Sequence, residues 1–389
     1  MSQPRRVGVR AVATTRTSLD VEFADGVVVR GNRFWLRDNC PLDVDRASLF
    51  RGTSVASLPD DLAIVGAELD DECVHVWYDD GVCDRVDPWE LRARLTPMAA
   101  PGCVPWSAGF EPTCFDAARL APESIEHHAL LEAIARSACA LVTGVAAHET
   151  EALAALLGPV RETDFGRVFD IVHEPQPFTP SQSADALDPH TDDPYRYSPA
   201  GISILHCVEP SAGTGGESII VDGLAVAEML READPEAFEV LTSVRVPFVH
   251  RRSEPVERAG DVHLRAEAPI IALDGSGRVS GIRFHERSMG AVAVDTDEAD
   301  RFYLALMRFA RAVRSDTFAW RRYLAPGEAI VYDNQRVLHG RSGFEGAQTR
   351  RHLRLCTVDR DQVHSRLRRL RERYATGTEA DPLPAGNLS

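Results

Sequence analysis

The segment Pro189-His190-Thr191-Asp192-Asp193-Pro194 constrains this chain more than any other. Each proline fixes its own φ, lacks an N–H and biases the preceding residue away from helix, so the stretch is held extended. In an extended chain positions i and i+2 face the same side, and His190 and Asp192 can therefore reach one ion together. A third donor, His339, stands much later in Val337-Leu338-His339-Gly340-Arg341. An H-x-D triplet alone is common, and most such histidines are simply hydrogen-bonded. Two histidines and one carboxylate on one face of a metal, with the remaining positions open, form the donor set of a non-haem Fe(II) centre.

A chain of 389 residues is long for one core and suggests a large domain with a smaller one. All 43 basic residues are Arg, and the formal net charge is −16. That balance argues against nucleic acid or an anionic membrane as the main partner. No apolar run is long enough to span a bilayer, and Met1 to Arg10 has no hydrophobic signal region. The eight cysteines are scattered singly without C-x-x-C, which suits a reducing, cytoplasmic setting.

Residues 1–100 read as a small β-rich domain. Asp25-Gly26 and Asp80-Gly81 each sit between short β-branched runs, a hairpin signal. Residues 101–121, rich in Pro and Gly, read as a linker, and 122–375 as the main domain. Within it, Ala138 to Val145 reads as a buried strand between two helical patterns. Asp297 to Arg314 is a helix with Phe302, Leu306, Phe309 and Val313 on one stripe. Ala329 to Asp333, then Asn334-Gln335, then Val337 to Arg341 is a strand–turn–strand that puts His339 on a rigid element. Asp359 to Tyr374 is an Arg-rich helix, and 376–389 a flexible tail. Many short strands with few helices favour a double-sheet jelly roll.

The segments Pro189 to Tyr195, Leu205-His206-Cys207, Gly215-Gly216-Glu217-Ser218, Val221-Asp222-Gly223, Asp333-Asn334, Leu338 to Arg341 and Arg351-His352-Leu353 recur in order. Together they closely resemble the γ-butyrobetaine dioxygenase and trimethyllysine dioxygenase branch of the taurine-dioxygenase-like superfamily. Phe34-Trp35-Leu36-Arg37-Asp38-Asn39-Cys40 extends the resemblance into the small domain. It implies a mostly β fold with flanking helices, a double-stranded β-helix holding Fe(II) between His190, Asp192 and His339. It further implies 2-oxoglutarate and O2 as co-substrates, and a homodimer. The keto acid's far carboxylate needs a buried, bidentate cation, which Arg supplies better than Lys. Arg351 matches the Arg-His-Leu motif and Arg350 is its rival, since strand alternation turns only one inward. Ser218 stands where a hydroxyl usually helps hold the same carboxylate.

Asp193 and Tyr195 flank the motif and join the substrate-binding set. Positions that are aromatic around a trimethylammonium group in the named enzymes hold Phe165, Phe169, Gln182 and Thr357 here. Two aromatics keep a quaternary ammonium substrate open, because ring faces attract cations. Arg283, His285 and Arg287 replace an Asn-containing stretch that holds substrate carboxylate, and could favour a stronger anion such as a phosphonate. The expected substrate is a small zwitterionic or anionic molecule. Relatives bind zinc in the small domain through clustered Cys and a His; here Cys40 lacks companion thiols and Val82 stands near the His position, so no zinc is expected there. Two other readings remain open at this point: a non-catalytic jelly-roll binding protein, and a cupin-like metal enzyme that needs no keto acid.

Overall fold

A computed structural model describes residues 7–39, 54–70, 73–95, 102–173, 179–211, 213–252, 261–345 and 350–374. The tail 376–389 and Cys40 lie outside the described residues. The chain divides into two compact units near residue 100.

The first unit contains two antiparallel three-stranded meanders, β1 (Val9–Thr14), β2 (Ser18–Phe23), β3 (Val28–Asn32) and β4 (Ile64–Leu69), β5 (Val74–Tyr78), β6 (Cys83–Val86). The three-residue turns Ala24-Asp25-Gly26 and Asp79-Asp80-Gly81 each end on a residue in the left-handed region, and both glycines adopt φ 83°. Two short helices, α1 (Arg33–Asp38) and α2 (Pro88–Leu95), complete it. Alternation in β2 sends Leu19, Val21 and Phe23 inward, where they meet Leu36 of α1, Val74 and Val76 of β5 and Leu91 of α2.

The second unit runs β7 (Thr113–Asp116), α3 (Ile125–Ser137), β8 (Cys139–Thr143), α4 (Thr150–Leu157), β9 (Phe169–Val172), β10 (Leu187–His190), β11 (Ile202–Glu209) and β12 (Ser218–Asp222). Then come α5 (Gly223–Ala233), α6 (Pro235–Ser243), β13 (Val246–Arg252), β14 (Val262–Ala268), β15 (Ile271–Leu273), β16 (Val279–Ile282) and α7 (Thr296–Val313). It closes with β17 (Ala319–Arg322), β18 (Ala329–Asp333), β19 (Val337–Arg341), β20 (His352–Val358) and α8 (Arg360–Tyr374). A six-stranded sheet has the order β7-β8-β18-β11-β20-β9, and a four-stranded sheet the order β10-β19-β12-β17.

Strand alternation explains the layering. In β18, Ile330 and Tyr332 point into a cluster shared with Ile220, Trp320 and Val337 of the smaller sheet. Ala329 and Val331, one residue out of phase, join Leu131 and Ile134 of α3, Leu153 and Leu157 of α4, and Leu367 of α8. The far face of the smaller sheet offers Ile219, Val221 and Leu338 to α5, α6 and α7. The unit is thus two facing sheets, each backed by helices. Asp295 caps α7 by accepting the N–H of Glu298, and the stripe Phe302, Leu306, Phe309, Val313 is buried. Phe309 is fully buried, and truncating it to Ala would cost about 3–5 kcal/mol.

Of the stretch expected to be a linker, 101–121, the described residues 102–121 are instead packed into this unit. β7 pairs in parallel with β8. Trp106 is buried; its indole N–H donates to the Ser137 carbonyl (2.8 Å) and its backbone N–H to Asp222 Oδ2 (2.9 Å). Asp222 also caps α5 and pairs with the buried Arg336 at 2.9 Å. A segment that satisfies a buried carboxylate belongs to the core.

Candidate iron and 2-oxoglutarate site

The site lies between the two sheets. In the β10–β19 ladder His190 stands directly opposite His339, so the two imidazoles share one face of an antiparallel pair. Gly340 lets the strands approach this closely: a Cβ there would lie 2.6 Å from the Leu187 carbonyl oxygen and 3.0 Å from the Pro189 nitrogen. Asp192, two residues beyond His190, completes the cluster. Its carboxylate oxygens lie 3.5 Å from His190 Nε2 and 3.4 Å from His339 Nε2.

Partners outside the cluster fix these groups. His190 Nδ1 donates to the Asp188 carbonyl at 2.8 Å, which leaves Nε2 with its lone pair toward the centre. The fully buried Asn334 accepts the Asp192 N–H at 2.7 Å and donates to the Asp192 carbonyl at 3.1 Å. Thr191 is buried and exchanges hydrogen bonds with the backbone of Phe284. Burial alone would raise the Asp192 carboxyl, but His339 and His190 beside it hold it well below the usual range. Burial pushes His339 down to about 4. Burial also opposes charge on His190, yet the hydrogen bond and charge of Asp192 outweigh it and raise this imidazole. An ionised carboxylate and a neutral imidazole are the states a divalent cation requires.

A cavity of about 390 Å³ opens on the cluster, within the range of small-ligand sites. Arg351 lines it, is 6% exposed, and has no hydrogen-bond acceptor or ion pair among the described residues. Burial, with Arg341 nearby, pushes its guanidinium down to about 9. An uncompensated buried cation is costly, so an anion is the missing partner. Arg341 cannot serve equally well, because it donates to the carbonyls of Ser181, Ser183 and Asp185. Ser218, buried and register partner of Arg341, lines the same cavity. This donor set and orphaned guanidinium fit Fe(II) and a dicarboxylate keto acid.

Residues 104–357 match the family model described as "Taurine catabolism dioxygenase TauD, TfdA family". The chain belongs to this family. It is 32% identical over 373 residues to a gamma-butyrobetaine dioxygenase of Pseudomonas sp. (strain AK-1), covering 92% of this chain and 94% of that protein. Identity to the Homo sapiens gamma-butyrobetaine dioxygenase is 29% over 360 residues, 88% of this chain and 92% of the relative. A mitochondrial trimethyllysine dioxygenase of Bos taurus shares 33% over 218 residues, 55% of this chain and 50% of its own. The protein is a dioxygenase dependent on iron(II) and 2-oxoglutarate that acts on a small molecule. Among the described residues, no helix is long and apolar enough to cross a membrane.

The remaining residues singled out in the sequence divide into two groups. Phe165 and Phe169 line the dioxygenase's cavity with ring centroids 4.9 Å apart. Thr357 lines it too, within 3.1 Å of the Ser203 hydroxyl. Asp193, at φ 54°, accepts from the Tyr195 hydroxyl (2.9 Å) and from Arg196 Nε (3.1 Å). His285 packs 4.5 Å from the His190 ring and is pushed down to about 3, by burial and then by His190.

Three residues fall elsewhere. Arg350 is exposed while its neighbour Arg351 is buried, as alternation demands. Arg283 does not line the cavity; its guanidinium donates to the carbonyls of Pro194 and Arg196. Gln182 also lies outside the lining, and its side-chain oxygen accepts the Thr179 N–H. Sequence reasoning assigned no role to Arg341, Asn334, Tyr332 or His250. Arg341 was detectable, being two residues beyond His339 on the same strand face. His250, stacked on Tyr195 at 4.7 Å, left no such signal.

Proposed function

We propose that this dioxygenase hydroxylates a C–H bond of a small zwitterion of the betaine or amino-acid type. The observation that carries the reading is the pairing, in one cavity, of aromatic faces with uncommitted imidazole nitrogens. Phe165 and Phe169 offer ring faces to a cationic or apolar end. His250 Nε2 and His285 Nδ1 are buried, line the same cavity and have no hydrogen-bond partner among the described residues. They can hold a carboxylate. Arg283 is committed to backbone carbonyls, so a strongly anionic phosphonate has less support than a zwitterion.

Iron held by His190, Asp192 and His339 supplies the oxidation: substrate C–H, 2-oxoglutarate and O2 give the alcohol, succinate and CO2. Arg351 binds the far carboxylate of the keto acid, with Ser218 beside it. Leu205, Leu353 and Leu355 give the cavity an apolar wall that limits water near the reacting centre. The facing sheets are read as the double-stranded β-helix of the family, and the working form as a cytoplasmic homodimer. Light scattering tests the dimer.

The substrate class is tested by succinate release with betaines, amino acids and aminophosphonates. Zwitterions should stimulate release, and Phe165→Ala should raise KM selectively for quaternary ammonium substrates. Inertness of every zwitterion would discard the proposal.

A further inference from the structure

We propose that Asp70, Cys73 and His75, in the first unit where β4 gives way to β5, form a second metal site for a borderline-soft divalent cation of the zinc type. Three different donors converge on one point there. Cys73 Sγ lies 3.4 Å from Asp70 Oδ2 and 3.5 Å from His75 Nε2, and His75 Nε2 lies 2.8 Å from Asp70 Oδ2. Tetrahedral zinc with ordinary bond lengths separates such donors by about 3.4–3.6 Å. Two edges already have that length, and the third opens by about 0.6 Å when a cation replaces the shared proton. The edges of the iron cluster are of the same size, 3.4 and 3.5 Å.

The arrangement differs from a nucleophile relay. A relay histidine presents one ring nitrogen to the thiol and the other to the carboxylate. Here both partners face Nε2, which is how ligands surround an ion. Neighbouring groups orient the donors as around a metal. Asp70 Oδ1 accepts the Cys73 N–H at 2.7 Å, which turns Oδ2 toward the centre. Arg85 Nε donates to Cys73 Sγ at 3.4 Å and fixes the direction in which the sulfur points. Cys73 is buried, while the side chains of His75 and Asp70 are 29% and 45% exposed, leaving a side open for water as fourth ligand. A sulfur donor selects against magnesium and calcium.

This donor set is distinct from the region where the resemblance puts zinc. Asp70 and Cys73 precede β5, whereas Val82 follows it. The proposal therefore revises the expectation of a metal-free small domain on residues that expectation did not consider.

Cobalt(II) titration of the full chain tests it. A thiolate on cobalt gives an intense near-ultraviolet charge-transfer absorption, and the iron cluster, having no sulfur, cannot produce one. The expected result is a saturable band, displaced by zinc, that reaches its full height within two equivalents per chain, is retained in His190→Ala and is abolished in Cys73→Ser. His75→Gln, a milder change on an exposed ring, should lower cobalt affinity at least about 10-fold while circular dichroism stays native. Absence of the band in the unaltered protein, or an undiminished band in Cys73→Ser or His75→Gln, overturns the site.

Discussion

Asn334 grips Asp192 from both sides, accepting its N–H at 2.7 Å and donating to its carbonyl at 3.1 Å. A third bond, from Asn334 to the Ala200 carbonyl at 3.1 Å, anchors the clamp to the start of β11. The metal-binding carboxylate is thus set by a residue that does not line the cavity. Asn334→Ala should weaken iron(II) binding about 10- to 100-fold, the usual cost of losing an orienting partner. Iron titration of turnover measures this, and KM for 2-oxoglutarate should move far less. Asn334→Asp keeps the acceptor but not the donor and should fall between.

Arg351 and Arg350 are adjacent, yet only one is buried. Removing a buried cation from a charged, hydrogen-bonded pair costs about 2–5 kcal/mol, or some 30-fold and upward in affinity. Arg351→Ala should raise KM for 2-oxoglutarate by roughly that factor, read from succinate production. Arg350→Ala should stay within about two-fold of the parent. A reversed pattern would return the role to Arg350.

Trp106 turns 102–112 from tether into core. Trp106→Ala removes a buried indole and takes the indole N–H away from the Ser137 carbonyl, so a loss of about 3–5 kcal/mol is expected in urea unfolding. A change under about 1 kcal/mol would restore the linker reading.

His206 and His127 are buried and neutral. Burial, the largest influence on each, depresses both imidazoles. The unfolded chain binds protons near the ordinary value of about 6.5 while the fold resists them. Stability is therefore present above that pH and is lost as pH falls below it, with a slope of up to about 1.4 kcal/mol per pH unit per group. His206→Gln should flatten the dependence of the urea midpoint between pH 7.5 and 5.5; an unchanged slope would show that other groups control it.

The triad was legible because its determinants are local: prolines that enforce extension, an i, i+2 pair, and a strand–turn–strand around His339. Alternation also announced that Arg350 and Arg351 must part, but only the register of β20 against β9 and β11 decides which turns inward. Gln182 and Arg283 were misplaced because one ends a single 3-10 turn and the other follows the last residue of β16, places too short or irregular for periodicity to relate neighbours in sequence to neighbours in space. The false linker has the same origin. Pro- and Gly-rich composition reports the absence of regular structure, whereas the partner of the Trp106 backbone N–H is Asp222, 116 residues away. Cys73 and His75 share a strand face by spacing, but nothing in the order of residues brings Asp70 onto the same point.

Gly340 has a consequence for how this enzyme can diversify. The two ligand-bearing strands touch through main-chain atoms where a side chain would otherwise intrude. The gauge of the iron centre is therefore set by an absent carbon atom, independently of Phe165, Phe169 and His250. Selection can rewrite Phe165, Phe169 or His250 to suit another substrate while the oxidising centre stays intact. A single methyl group at 340 would do the opposite: prise the imidazoles apart and leave a well-shaped binding protein without chemistry.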